Sequence, residues 1–459
     1  MREGSLEAPV RHPIPWTDPD FTDPEKIDAE LRRVFDVCHT CRRCFNLCDS
    51  FPRLFDLVDS SETGELDSVA SRDFKKVVDA CTLCDMCFMT KCPYVPPHQF
   101  DIDFPHLMLR YRAAEFARGE VGFAQRQITR TDRNCKMAGA VAPLANWAAR
   151  TDNKVTRPLM EKAVGIHRQA ALPRFHGRSL AVRARREKPE VNAQAPGHGR
   201  KAVIYATCFG NYNNPGMGMA ALAVLARNGV EAEVVYPTCC GMPQLEHGDI
   251  AKVAERARTV AAGMKPWIEQ GYDVIALIPS CALMLKFEWP LILPEDDGVK
   301  RLAQATFDIS EYVVDIAKRE GLADGLEPLD AGVTLHIACH ARAQNMGHKA
   351  AEMLRLVPGA NVAVVERCSG HGGSWGMMME NFEVALKVGR PVARQAAGEG
   401  RKSEERGAPS PYLASECPLA GQHIVQGMER EQSAPPAGRS YHPIELFARA
   451  YRLDGQGGT

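Results

Sequence analysis

Eight cysteines in two runs constrain this chain more than any other feature. The first run is Cys38-His39-Thr40-Cys41-Arg42-Arg43-Cys44-Phe45-Asn46-Leu47-Cys48. The second is Cys81-Thr82-Leu83-Cys84-Asp85-Met86-Cys87, closed by Cys92-Pro93. They read C-x2-C-x2-C-x3-C and C-x2-C-x2-C-x4-C-P. Thiolates separated by two residues converge because the tight turn between them points both sulfurs inward. Three such residues hold three irons, and the fourth ligand comes from elsewhere. Where two clusters lie together, the fourth cysteine of each run ligates the other one. One [4Fe–4S] cluster is therefore expected on Cys38, Cys41, Cys44 and Cys92, and a second on Cys81, Cys84, Cys87 and Cys48. A zinc site would need four ligands of its own, not three close and one crossed.

The insert between the runs, Asp49 to Ala80, is too long for a hairpin. Phe51 to Val58 and Asp73 to Val78 read as helices around a polar middle, Asp59 to Ser68. Phe74, Val77 and Val78 fall at i, i+3 and i+4, an apolar stripe that delivers Cys81. This spacing resembles the α-helical ferredoxin module of the succinate dehydrogenase and heterodisulfide reductase type. Two details depart from the usual bacterial run: Asp49 rather than Pro follows Cys48, and four residues precede Cys92.

With 459 residues the chain has room for two to four domains. Its hydrophobic and charged fractions, 45% and 25%, are those of an ordinary globular protein. A formal net charge of −1 gives no global field for nucleic acid, so none is expected as a partner. No run of 18 apolar residues is present to span a bilayer. The N-terminal residues have no apolar core, so no signal peptide is expected. Sixteen cysteines in an unexported chain are better read as metal ligands than as disulfides. The expected compartment is the cytoplasm, or the inner face of the membrane.

Residues 1–30 are rich in Pro and Asp and read as an extended arm, with Trp16 and Phe21 available to pack on the cluster module at 31–103. A helical and basic linker, 104–199, follows. Its first stretch runs from Phe104 through Phe116 to Phe123 with Arg110, Arg112, Arg118 and Arg126. It reads as a packed linker helix, with a membrane or partner surface as the alternative. Cys135 stands alone and is expected to be a small buried residue. The basic run from Arg168 to Arg200 reads as a solvated connector.

From Lys201 short β-rich runs alternate with helical ones, and each β run leads to cysteine. Lys201–Thr207 precedes Cys208, Glu233–Thr238 precedes Cys239-Cys240-Gly241, and Tyr272–Ser280 precedes Cys281. The pattern then recurs: Val333–Ala338 before Cys339, Val362–Arg367 before Cys368-Ser369-Gly370, and Tyr412–Glu416 before Cys417. The offsets between equivalents are 131, 129 and 136 residues, which argues for a duplicated domain, 200–328 and 329–455. Alternating strands and helices imply parallel sheets with ligand sites at the carboxyl ends of strands. Gly216-Met217-Gly218 lacks the rest of a dinucleotide fingerprint.

The repeat resembles the cysteine-rich CCG domain of the heterodisulfide reductases. The whole resembles the iron–sulfur subunits of anaerobic glycerol 3-phosphate, glycolate and lactate oxidation. The fold class expected is thus an α-helical two-cluster ferredoxin module followed by two repeated α/β CCG domains. The family pattern C…CC…C-x2-C gives five thiolates. Here the first repeat offers Cys208, Cys239, Cys240 and Cys281, with Met284 in the fifth place; these four suit a third iron–sulfur cluster or zinc. The second keeps Cys339, Cys368 and Cys417 but has Ser369 and Ala420 in the other places, and His371 or His340 is the candidate fourth ligand. The resemblance implies an electron-transfer subunit that takes electrons from a flavoprotein dehydrogenase and passes them to a quinone or other acceptor. Alternatives are a thiol–disulfide reductase acting through the CCG cysteines, and a zinc-holding docking module.

Overall fold

The computed structural model describes residues 9–433 and 438–453. The start of the expected arm and residues 454–455 of the second repeat lie outside that part. The described arm is docked on the cluster module, where Arg110 donates to Phe21 O at 2.8 Å, and it reaches the α/β half as well. Trp16 donates its indole N–H to Ile292 O of the α/β half (2.9 Å), and Ile14 N–H meets Leu291 O at 2.8 Å. Arg11 is almost enclosed. It contacts Asp85 at 2.7 Å, Asp103 at 2.9 Å and Glu288 at 2.9 Å, and lies over the Phe88 ring.

Four helices build the N-terminal unit. Helix α1 (Pro24–Cys41) begins where Asp23 accepts the N–H groups of Glu25 and Lys26 and Pro24 occupies the first position. Helices α2 (Ser50–Asp59), α3 (Lys75–Ala80) and α4 (Phe104–Ala117) close a core around Phe35, Phe51, Phe55 and Phe74. Phe35 meets Phe74 edge-on at 5.3 Å and Phe51 meets Phe104 at 4.7 Å. Each such ring contributes about 1.5–3 kcal/mol by burial, so the polar insert is held by its apolar ends.

The expected single helix from Phe104 past Phe123 is broken. Helix α4 ends at Ala117, and Gly119, at φ 78°, turns the chain. Four short helices follow, α5 (Phe123–Ile128), α6 (Thr131–Ala140), α7 (Ala142–Ala149) and α8 (Thr156–Val164). The basic run is more ordered than a solvated connector: Leu180–Arg186 is helical and Leu180 is fully buried. A Cβ on Gly218 would lie 2.1 Å from Leu180, so the second glycine of Gly216-Met217-Gly218 serves close helix packing.

Two parallel four-stranded sheets form the C-terminal half. The first takes β1 (Lys201–Tyr205), β2 (Glu231–Val235), β3 (Asp273–Ala276) and β4 (Thr306–Asp308) in the order β2-β1-β3-β4. The second takes β5 (Val333–His336), β6 (Val362–Val365), β7 (Tyr412–Ser415) and β8 (Ser440–Tyr441) in the order β6-β5-β7-β8. The topologies correspond strand for strand, as the offsets implied. The repeats also exchange helices. Ile309–Arg319, after β4, packs on Lys349–Arg355 of the second repeat, and Pro443–Ala450, after β8, packs on Pro215–Arg227 of the first. One buried core therefore runs from the arm through the first sheet to Phe447 and Tyr451.

Candidate metal centres

The cysteines of the two runs sit on helix ends and left-handed turns. Cys38 and Cys41 lie in the last turn of α1, which Arg42 stops at φ 49°. Leu83 (φ 49°) and Asp85 (φ 63°) turn the chain on either side of Cys84. Backbone N–H groups point at sulfurs throughout: Ser50 and Phe51 at Cys48, Leu83 at Cys81, Met86 at Cys84, Tyr94 at Cys92. Burial raises the Cys38 thiol, with Cys92, Cys44 and Cys41 as its charged neighbours. Burial likewise raises Cys87, next to Cys84, Cys81 and Cys48. Burial takes Cys44 to about 12 and Cys81 to about 11, the latter opposed by Arg112, whose guanidinium bonds to Cys81 O and Val78 O. The structure thus brings together 38, 41, 44 with 92, and 81, 84, 87 with 48. Buried thiolates this close repel one another, while N–H groups aimed at sulfur favour the thiolate. A cationic iron–sulfur core meets both conditions, and the donor sets fit it.

In the first α/β repeat β2, β1 and β3 are neighbours, so their carboxyl ends present Cys239-Cys240, Cys208 and Cys281 to one point. Cys239 and Cys208 sulfurs are 3.7 Å apart. Side-chain hydrogen-bonding contacts with Cys208 and Cys240 hold the Cys239 thiol well below its ordinary range; Cys240 contacts Cys281 in turn. Gly241, at φ 87°, makes the turn, and its N–H lies 3.5 Å from Cys239 Sγ. Spacing gave no sign of two further residues. Asp132 of α6 accepts Cys239 N–H at 3.0 Å and the Thr238 hydroxyl at 3.1 Å, and it pairs with Arg256. Cys135 is buried as expected but not isolated: burial, then the neighbouring Cys239, takes its thiol to about 12.

The second repeat keeps the turn and scatters the expected ligands. Gly370, at φ 78°, directs its N–H to Cys368 Sγ at 3.3 Å, the counterpart of Gly241. Cys339 is in hydrogen-bonding contact with Cys368 and with Cys84 of the N-terminal unit. Cys417 receives N–H groups of Ala420 and Leu419 and has Cys281 as its thiol neighbour. His371 lies against His423, ring centres 5.9 Å apart, and burial drives it down to about 3. His340 is occupied otherwise, joining Ser280 Oγ (2.9 Å) to Leu83 O (3.2 Å). Of the four residues expected to share one site, Cys339 and Cys368 stay together beside Cys84, while Cys417 lies towards Cys281 and His371 against His423. Among the described residues no three His, Cys, Asp or Glu side chains are arranged to hold a single metal ion.

A cavity of about 590 Å³ adjoins Cys81, lined by Thr82, Arg112, Glu246, His247 and Trp375. Burial raises the Glu246 carboxyl to about 7 against the pull of Arg112, and lowers His247 to about 4.

Thiols gathered at the carboxyl ends of a duplicated parallel sheet define a cysteine-rich α/β protein. Residues 202–286 match the family model described as the cysteine-rich domain, so the chain carries a CCG domain. It is similar to the C component of the anaerobic glycerol-3-phosphate dehydrogenase of Escherichia coli (strain K12), 27% identical over 327 residues, covering 70% of this chain and 76% of that one. It is also similar to the B component of the fumarate reductase (CoM/CoB) of Methanothermobacter marburgensis, 25% identical over 56% of this chain and 47% of that one. A third relative is lactate utilization protein A of Bacillus pumilus, 25% identical over 47% of this chain and 87% of that one.

Proposed function

We propose that this chain is the iron–sulfur subunit of an oxidoreductase complex. It takes electrons from a flavoprotein dehydrogenase of the glycerol 3-phosphate or 2-hydroxy acid type and delivers them to a quinone or another acceptor. The observation that carries this reading is the crossed convergence of two four-thiol sets, the second of which abuts the α/β repeats through Cys84. Two bound [4Fe–4S] clusters would supply one-electron chemistry, with potentials within roughly −700 to +450 mV. The chain's own residues hold the irons, screen them from water and set the potentials through N–H groups directed at sulfur. Cys208, Cys239, Cys240 and Cys281 are the residues for a third centre.

Two surfaces suit such a role. The cavity beside Cys81 offers an acceptor headgroup both polar and aromatic walls within reach of the second set. The segment of helices α5–α8 exposes Phe123 (78%), Leu144, Trp147 and, just before α8, Val155 (74%). Residues 121–164 carry eight Lys or Arg against three Asp or Glu, in a chain whose net charge is −1. Apolar side chains among basic ones suit the surface of an anionic bilayer. Among the described residues no helix is long and apolar enough to cross a membrane; the exposed apolar and basic side chains suit peripheral attachment.

Anaerobic purification followed by iron and sulfide analysis and low-temperature EPR tests the assignment. About eight irons with two interacting signals are expected from the N-terminal sets alone, and about twelve if the first repeat is loaded. In the second case Cys240→Ser removes only the third signal. Fewer than about eight irons after reconstitution would overturn the reading.

A further inference from the structure

Cys339 and Cys368 are left over once the other thiols are accounted for. In the second repeat Ser369 replaces the paired cysteine and Ala420 the last one. Cys417 is turned towards Cys281 and the helix start at Leu419 and Ala420. His371 faces His423, and both ring nitrogens of His340 are engaged. What remains is two thiols in contact with each other, both partly exposed, with one also touching Cys84.

The turn carrying Cys368 is firmly held. A Cβ on Gly370 would lie 2.0 Å from Ala385 O, and one on Gly389 would lie 2.2 Å from Ser369 O, so the Phe382–Glu405 helix is clamped against it. Cys339 is fixed from the other side, since the next residue, His340, bridges Ser280 of the first repeat and Leu83, the residue before Cys84. The pair is thus part of the seam between the N-terminal unit and both repeats.

We propose that Cys339 and Cys368 form a redox-active dithiol–disulfide couple that exchanges electrons with the centre ligated by Cys84. This rests on the reading of Cys84 as a cluster ligand. In the oxidising direction the two S–H groups lose two protons and two electrons and one S–S bond forms. The electrons leave singly through the one-electron centre at Cys84. In the reducing direction two electrons arrive from that centre, two protons are taken up and the S–S bond breaks. The couple joins the one-electron chemistry of the N-terminal unit to a two-electron store.

The experiment uses the full-length, cluster-loaded protein under argon. One portion is oxidised with glutathione disulfide, and another is then reduced with dithionite and methyl viologen. Both are alkylated after acid denaturation and mapped by mass spectrometry, with iron content and EPR recorded on the same samples. The expected result is a Cys339–Cys368 cross-linked peptide in the oxidised portion that falls at least about tenfold on reduction. Cys339→Ser should abolish it with iron content and far-UV circular dichroism unchanged. Cys368→Ala serves as the second variant should the first fail to fold. Free alkylation of both thiols in both portions, at about eight irons, overturns this inference and leaves the cluster assignment standing. Loss of about four irons in Cys339→Ser or Cys368→Ala also overturns it, because the thiols are then metal ligands. A cross-link in protein holding fewer than about eight irons shows the thiol pair but removes its electron donor, and both proposals fall.

Discussion

At the residue scale the least visible contributors are those that position cysteines without binding anything themselves. Asp132 accepts Cys239 N–H and the side chains of Tyr236, Thr238 and Arg256, yet an aspartate in a basic helical linker carries no signal of this. Asp132→Asn leaves Arg256, a largely buried cation, without its partner, and should lower stability by about 1–3 kcal/mol in urea unfolding. Glu246 gives a prediction with a definite pH sign. Its carboxyl lies at about 7, raised from 4.5 by burial. Between those values the folded protein holds a proton that the unfolded chain releases, so this group makes stability fall as pH rises through the window, and its cost is complete above 7. Glu246→Gln should therefore match the wild type near pH 4 and exceed it at pH 8 by on the order of 2 kcal/mol, discounted for water in the cavity. Urea midpoints at the two pH values check this; a less stable variant at pH 8 would mean that Arg112 compensates the carboxylate fully.

Among the elements, the turn after the second strand of each repeat is the most legible. Cys239-Cys240-Gly241 and Cys368-Ser369-Gly370 both place glycine at positive φ with its N–H on the first cysteine's sulfur. Sequence spacing locates both turns but not the helix behind the second. Gly370→Ala forces a side chain into Ala385 O as well as into a left-handed backbone, and should cost about 3 kcal/mol or more, seen as a lower thermal midpoint. The strand ends are readable because parallel strands feeding helices put ligands at one edge of a sheet. The break after α4 is not, because Arg112, Phe116 and Phe123 keep a helical look across Gly119, and only the turn shows that the pattern belongs to two helices.

Across the whole molecule the arm is the fastener. Arg11 joins Asp85 and Asp103 of the N-terminal unit to Glu288 of the first repeat, and His106 adds a contact to Glu288 at 3.1 Å. Burial alone would raise the Glu288 carboxyl, but His106 and Arg11 hold it at about 2. The stability this gives is present above pH 4.5 and is lost as pH falls from there towards 2. Arg11→Met takes the shared cation from three carboxylates and should cost about 3–5 kcal/mol at pH 7, with the arm cleaved faster in limited proteolysis. Leu144→Glu with Trp147→Glu should abolish co-sedimentation with phosphatidylglycerol vesicles, and neither the wild type nor the variant should co-sediment with phosphatidylcholine vesicles. Equal binding by wild type and variant would place the membrane contact elsewhere. The sequence by itself determined the two thiol runs, the duplication and the strand ends, because local spacing and alternation set where a chain turns and which face it buries. Tertiary structure alone decided where the thiols of the second repeat go. Packing across residues far apart in the chain exchanged helices between the repeats, set Cys339 against Cys84, turned Cys417 to Cys281 and brought Asp132 beneath Cys239, and none of these contacts is written in the local order of residues.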